Sequence, residues 1–144
     1  MMADTKSVAP DTSIAAALAL MRPGGVRHLA VLDGSDFRGV VSNGDYRRLL
    51  ERTPPDERMP KLAEMTVAQI MTPRESLVTA RPNISLALAA RLMIAKRIAC
   101  LPIMDRFGRL VGLLDQKDVV AALLETLERK APHQHNGKGM LSRR

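Results

Sequence analysis

Two tandem β-α-β-β-α repeats, packed sheet to sheet with pseudo-two-fold symmetry, form the α+β fold that this sequence predicts. Three observations predict it. The chain repeats itself: displaced by 72 positions, Pro10 falls on Pro82, Ser13 on Ser85, Leu20 on Leu92, Met21 on Met93, Leu29 on Leu101 and Asp33 on Asp105. After a one-residue slip the offset becomes 73, and Gly39 falls on Gly112 and Asp45 on Asp118. Residue types that agree in order along a whole unit mark a tandem duplication. Within each copy the apolar period switches between helical and strand spacing in the same order. Finally, a unit of roughly 50 residues buries little on its own, so two copies must cover each other's sheets.

Each element has a local reason. The extended "KSVA" opens the first unit, and Pro10-Asp11-Thr12-Ser13 then supplies turn and N-cap chemistry. Ile14, Leu18 and Met21 follow at helical spacing until Pro23-Gly24-Gly25 stops the helix. "RHLAVL" reads as a strand, Asp33-Gly34 as a turn, "RGVVS" as a second strand. A helix opens near Ser42 and carries Tyr46, Leu49 and Leu50. In the second unit the matching pieces are "SLVTA", a helix over about 84–95, the strands "ACLPIM" and "RLVGLL", and a helix over about 116–129. The length slip falls where "DGSDFRG" faces "DRFGRLVG", a hairpin turn that tolerates an insertion.

Residues 6–52 thus form the first repeat and 66–129 the second. Between them, 53–65 is rich in proline and charge and reads as a linker. At the head of the second repeat, Thr66 and Gln69 form a capping box for one short helical turn, which Pro73 ends. Residues 130–144 lack periodicity and read as a basic, disordered tail.

Composition narrows the function. Net charge is +7, but residues 129–144 hold Arg129, Lys130, Lys138, Arg143 and Arg144 with no acid, leaving 17 basic against 15 acidic residues before them. The excess is a tail property, and no groove-reading motif accompanies it, so nucleic acid is not the expected partner. Aromatics make up 2%, too few for a base-stacking surface. No apolar run approaches the roughly 18 residues of a membrane span, and the N-terminus lacks a signal-peptide layout. A cytoplasmic protein without membrane contact is expected. The single cysteine, Cys100, sits in "IACLPIM" and reads as a buried small hydrophobe. His133 and His135 have no ligand partners at zinc spacing, so no metal site is expected.

The duplicated turn carries the chemistry. "GVVSNGDYR" (39–47) and "GLLDQKDVV" (112–120) each join a strand to a helix through a small oxygen-bearing side chain and, three residues on, an aspartate. Ser-x-x-Asp is nearly a capping box, which any helix would use. A helix start also offers unpaired N–H groups and a favourable dipole to an anion, and a carboxylate accepts two hydrogen bonds from a cis-diol. The two roles do not exclude each other.

The units "VAPDTSIAAALALM…VRHLAVLDGSDFRGVVSNGDYRRLL" and "TARPNISLALAARLMIAKRIACLPIMDRFGRLVGLLDQKDVVAAL", with "IMTP" before the second, resemble a pair of CBS domains such as bacterial stand-alone CBS-domain proteins carry. The resemblance implies a regulatory module without catalysis, with no required cofactor, that forms a homodimer and senses an adenosine-containing ligand: AMP, ATP, NAD(H) or S-adenosylmethionine. It implies that Asp45 takes the ribose hydroxyls and that Ser42 and the helix start take phosphate. The basic pair Arg27 and His28, before the second strand, is placed to reach phosphate. Val8, Val40 and Pro102 are candidate walls for the adenine and are equally ordinary core positions.

The second unit departs from this pattern. Ala99 and Cys100 replace the basic pair, and Asp115 stands where Ser or Thr is expected. A carboxylate about 4 Å from a phosphate at a protein surface costs on the order of 4 kcal/mol. Asp115 is also a good N-cap. Asp118 retains the ribose-type carboxylate, and a phosphate beside it is disfavoured unless a cation or Lys117 offsets Asp115. Gly44 stands where relatives place a phosphate-gripping arginine. One competent phosphate site is therefore expected, the second being empty or used by a nucleoside. The competing expectation is a ligand-free dimerisation or docking module with degenerate sites. One isolated carboxylate per cleft, without nucleophile or base, assembles no reaction.

Overall fold

The computed structural model describes residues 6–130, so the tail over 131–144, with His133 and His135, lies outside the described residues. The first unit runs β1 (Ser7–Val8), α1 (Ile14–Met21), β2 (His28–Asp33), β3 (Asp36–Ser42) and α2 (Asn43–Glu51). After α3 (Arg58–Glu64) and β4 (Thr72–Pro73), the second unit supplies α4 (Leu86–Lys96), β5 (Cys100–Met104), β6 (Leu110–Asp115) and α5 (Gln116–Lys130).

The repeats match in their helix caps and hairpins. Ser13 caps α1 by accepting from the Ala16 N–H at 3.1 Å, and Ser85 caps α4 by accepting from Leu88 at 3.1 Å. Both hairpins are antiparallel and both shift register at the same place, between Val31 and Leu32 and between Ile103 and Met104. Gly34 and Gly108 turn the two hairpins at φ 63° and 79°, a region open to glycine at little cost.

The sheets are nonetheless unequal. The first has four strands in the order β1-β2-β3-β4, the second two. β1 lies parallel to β2, with the Ala30 N–H donating to Lys6 O at 3.2 Å. The equivalent of Ala30 is Pro102, which has no N–H to donate. Residues 76–80 therefore do not form the strand that was expected of them. One parallel bridge between Ala80 and Ile103 survives, held by Ala80 N–H to Pro102 O (3.0 Å) and Met104 N–H to Ala80 O (2.8 Å).

The segment between the repeats is more ordered than its composition suggests. Thr53 donates its hydroxyl to Leu49 O at 2.6 Å and accepts from Arg58 Nε at 3.1 Å, and α3 then lays Leu62 against Ile14 and Leu49. Pro60 is no obstacle, because the first turn of a helix has no use for its missing N–H. Thr66 and Gln69 close the expected capping box around a 310 turn over Val67–Gln69. Val67 is fully buried in the first unit's core, beside Leu29, Val31 and Val41. Rather than simply ending that turn, Pro73 enters β4, which pairs with Gly39 and Val40 of β3.

Burial sits in layers. Helix α1 covers the outer face of the first sheet through Ala17 and Met21, and α4 covers the second through Ala89 and Met93. Between the sheets, Ala30, Phe37 and Val40 meet Met104 and Leu113. This dry seam joins the repeats sheet to sheet. Full burial of each such side chain contributes about 1.5–3 kcal/mol, so neither half has reason to stand alone.

Candidate functional site

A cavity of about 870 Å³ opens between the two units where both strand-to-helix turns converge. The volume is in the range that small-molecule sites occupy. Equivalent hydrogen bonds build its two sides: Asn43 N–H to Arg27 O, and Gln116 N–H to Ala99 O, each 3.0 Å. These bonds tie the start of each helix to the residue just before the paired strand.

The two walls differ in chemistry. The first repeat presents Arg27, His28, Ser42, Asn43, Gly44 and Arg47; the second presents Ala99, Asp115, Gln116, Lys117, Val120 and Ala121. By the repeat offset, Arg27 faces its counterpart Ala99, Ser42 faces Asp115, Gly44 faces Lys117 and Arg47 faces Val120. The first wall is cationic, whereas the second mixes Ala99, Val120 and Ala121 with Asp115, Gln116 and Lys117, Asp115 being the only acidic side chain among the lining residues. Arg27, Arg47 and Lys117 have no ion-pair partner within 4.0 Å among the described residues, whose pairs are Arg38 with Asp33 and Asp36 and Arg48 with Asp45. Unpaired cations around a cleft attract an anion.

His28 has a buried Nδ1 with no hydrogen-bond partner. Burial lowers its pKa most strongly, against the opposing pull of Asp115 and then Asp45, which favours the neutral ring. A neutral imidazole at the wall can donate or accept one hydrogen bond without bringing charge.

Of the residues expected from sequence, the structure brings Arg27, His28 and Ser42 to the cavity. Asp45 does not line it. That carboxylate is 7% exposed and fully engaged: Oδ2 accepts from the Ser42 N–H (2.8 Å) and hydroxyl (3.1 Å), and Oδ1 from Arg48. Asp118 plays the same part in α5, its Oδ2 accepting from the Asp115 N–H at 3.0 Å while Asp115 Oδ1 accepts from the Asp118 N–H at 3.0 Å. Desolvation, then the neighbouring Asp115 charge, raises the pKa of Asp118. Val8 packs in the first core and Val40 in the inter-sheet seam, while Pro102 is fully buried in β5; none reaches the wall. Cys100 is half-buried rather than buried as expected, and its thiol is pushed up to about 12, chiefly by desolvation and then by the charges of Asp115 and Asp118. It is an inert packing residue.

Arg47, Val120 and Ala121 escape a motif reading, since they follow the motif along the helix. Their signal is spacing: Arg47 is three residues beyond Gly44, one turn along the same helix face. An added Cβ on Gly44 would lie 3.8 Å from an Arg47 terminal nitrogen. It would lie nearer still, at 3.5 Å, to Arg48 Nη1 and Ser42 Oγ, all ordinary contact distances.

Fold and site together define a duplicated module, two repeats sharing one cavity. The CBS domain model matches residues 1–52 and 67–125, and the chain belongs to the CBS-domain family. It is similar to a CBS domain-containing protein of Dictyostelium discoideum, 28% identical over 128 residues, covering 85% of this chain and 86% of that protein. It is 31% identical over 121 residues to inosine-5'-monophosphate dehydrogenase of Mycobacterium leprae, matching 83% of this chain but only 21% of the enzyme. Among solved structures, CBSX2 in complex with AMP is 32% identical, with a TM-score of 0.69 over 85% of this chain and 90% of that one. No helix among the described residues is long and apolar enough to cross a membrane.

Proposed function

We propose that this CBS pair is a regulatory sensor of an adenine nucleotide of the AMP, ATP or NAD(H) type, acting in the cytoplasm on a partner protein and catalysing no reaction itself. The observation that carries this reading is the shared cavity, with Arg27, His28, Ser42 and Arg47 on one wall. Guanidinium groups match phosphate oxygens as planar forks, and the Ser42 hydroxyl stands at the positive end of α2. The AMP complex of the similar CBSX2 supports the ligand class. Regulation follows from geometry: a ligand that touches both repeats favours one angle between them over others, and the partner reads that angle.

In a thermal-shift series with AMP, ATP, NADH and S-adenosylmethionine, the true ligand raises the melting temperature in proportion to RT ln(1 + [L]/Kd). An unchanged melt with all four at millimolar concentration would remove the sensor reading. One feature favours the second reading, a homodimerising or docking module. Val120, Leu123, Leu124 and Leu127 form an exposed apolar stripe along α5, the kind of face that a second copy covers.

A further inference from the structure

We propose that the tip of the β5–β6 hairpin is a docking point for a partner protein, taking an acidic peptide segment whose carboxylates flank an apolar side chain. Phe107 stands there 66% exposed, whereas the chain's other phenylalanine, Phe37, is buried. The Arg106 and Arg109 guanidinium groups lie over the Phe107 ring, 5.1 and 5.3 Å from its centroid. Both arginines are exposed, and neither has a carboxylate within 4.0 Å among the described residues, whose ion pairs involve only Arg38 and Arg48. Two more cations adjoin the tip. Arg74 donates to Gly108 O at 3.1 Å, and Arg81 follows Ala80, whose carbonyl accepts from the Met104 N–H at 2.8 Å. The nearby acids leave this excess standing. Asp105 Oδ1 accepts from the N–H groups of Phe107 (2.8 Å) and Arg109 (2.9 Å), and Glu75, beside Arg74, forms no ion pair among the described residues.

The turn holds this group in place. Besides the Asp105 side-chain bonds, the Asp105 N–H donates to Arg109 O at 2.8 Å and the Gly108 N–H to Asp105 O at 3.0 Å. A fixed aromatic side chain flanked by arginines has the composition enriched at interfaces, and it loses little freedom on binding. Guanidinium forks match carboxylates through paired hydrogen bonds. The first repeat shows the same hairpin without these features. Ser35 stands where Phe107 does, Arg38 is held by Asp33 and Asp36 at 2.8 Å each, and Phe37 packs between the sheets. One tip is thus neutralised and the other left cationic around an exposed ring. A nucleic acid is the poorer fit, because a base needs a free ring face and this ring already lies under guanidinium groups. The chain's own tail has no acidic side chain after Glu128 to offer. Docking here requires no nucleotide, since the cavity lies at the other ends of β5 and β6, by Ala99 and Asp115.

The test is fluorescence anisotropy of the full chain with a labelled peptide of Glu and Asp around two central leucines. Its controls are the same peptide with Gln and Asn for the acids, a version with Gly for the leucines, and a short oligothymidylate. The acidic leucine peptide should bind about ten-fold tighter than the neutral one and weaken as salt rises. Arg106→Gln with Arg109→Gln should weaken it about ten-fold, whereas Arg91→Gln with Lys96→Gln, an equal charge change on α4, should leave it nearly unchanged. Phe107→Ser should weaken the leucine peptide several-fold and leave the glycine version unaffected. All five positions are exposed, so the variants keep the fold. No saturable binding of the acidic peptide, or an equal loss in the hairpin and α4 variants, would overturn the proposal. Tighter binding of oligothymidylate than of the peptide would reassign the tip to nucleic acid. A change of oligomeric state in the hairpin double variant, read by light scattering, would assign it to a second copy of this chain instead.

Discussion

Asp45 and Ser42 cap each other: the Asp45 carboxylate accepts from the Ser42 backbone and hydroxyl, and Ser42 Oγ accepts from the Asp45 N–H at 3.2 Å. The pair fixes the first turn of α2 and holds Ser42, which lines the cavity. Asp45→Ala should cost about 1–2 kcal/mol, the worth of a strong N-cap, read as a lower urea midpoint at unchanged slope. It should also weaken nucleotide binding less than Arg47→Gln does.

Gly39 makes room for the strand that the connecting segment adds. A Cβ there would stand 2.3 Å from Thr72 O, with the Met71 sulfur at 3.1 Å. Gly39→Ala must therefore push β4 off β3, at a cost of about 1–3 kcal/mol typical of overpacking. Thermal melting should show a clear loss for Gly39→Ala and almost none for Gly44→Ala, whose nearest neighbours stand at 3.5 Å.

Cys100 should ignore thiol reagents in the folded protein. The thiolate is the nucleophile, and a thiol held near 12 is almost entirely protonated at pH 8. Reaction with a chromogenic disulfide should be slow under native conditions and complete, at one thiol per chain, in denaturant.

The Asp115–Asp118 pair leaves a pH signature. Because the folded-state pKa of Asp118 is raised, the folded state binds this proton more tightly than the unfolded chain does. The group therefore contributes stability as pH falls through its raised pKa and withholds it above. Relative to Asp118→Asn, the wild type should gain stability on acidification from neutral pH towards the normal carboxylate range, measured by urea titration at a series of pH values.

Much of this architecture was legible in the chain because the duplication prints each local device twice. Ser13 and Ser85 cap equivalent helices, and the turn glycines Gly34 and Gly108 close equivalent hairpins. What escaped depends on single substitutions within the repeat. Pro102 replaces Ala30 and, lacking one N–H, reduces a strand to a bridge. Pro60 lies in the segment whose proline and charge read as a linker, yet in the first turn of α3 it breaks nothing. At the site, the motif pointed to Asp45, since Ser-x-x-Asp spells both a sugar acceptor and a capping box; only the position of Arg48 and the depth of burial separate them. Val8, Val40 and Pro102 are apolar residues in strands, and spacing alone does not tell a core face from a cavity wall. Arg47 and Val120 lie outside the motif and acquire meaning only when the two helices are set opposite each other.

One cavity shared by two unlike walls is the centre of the proposed function. Isothermal titration of the protein with AMP measures this directly. One AMP bound per chain, with Arg47→Gln weakening that single site, is the predicted result. Two equal sites per chain would contradict it.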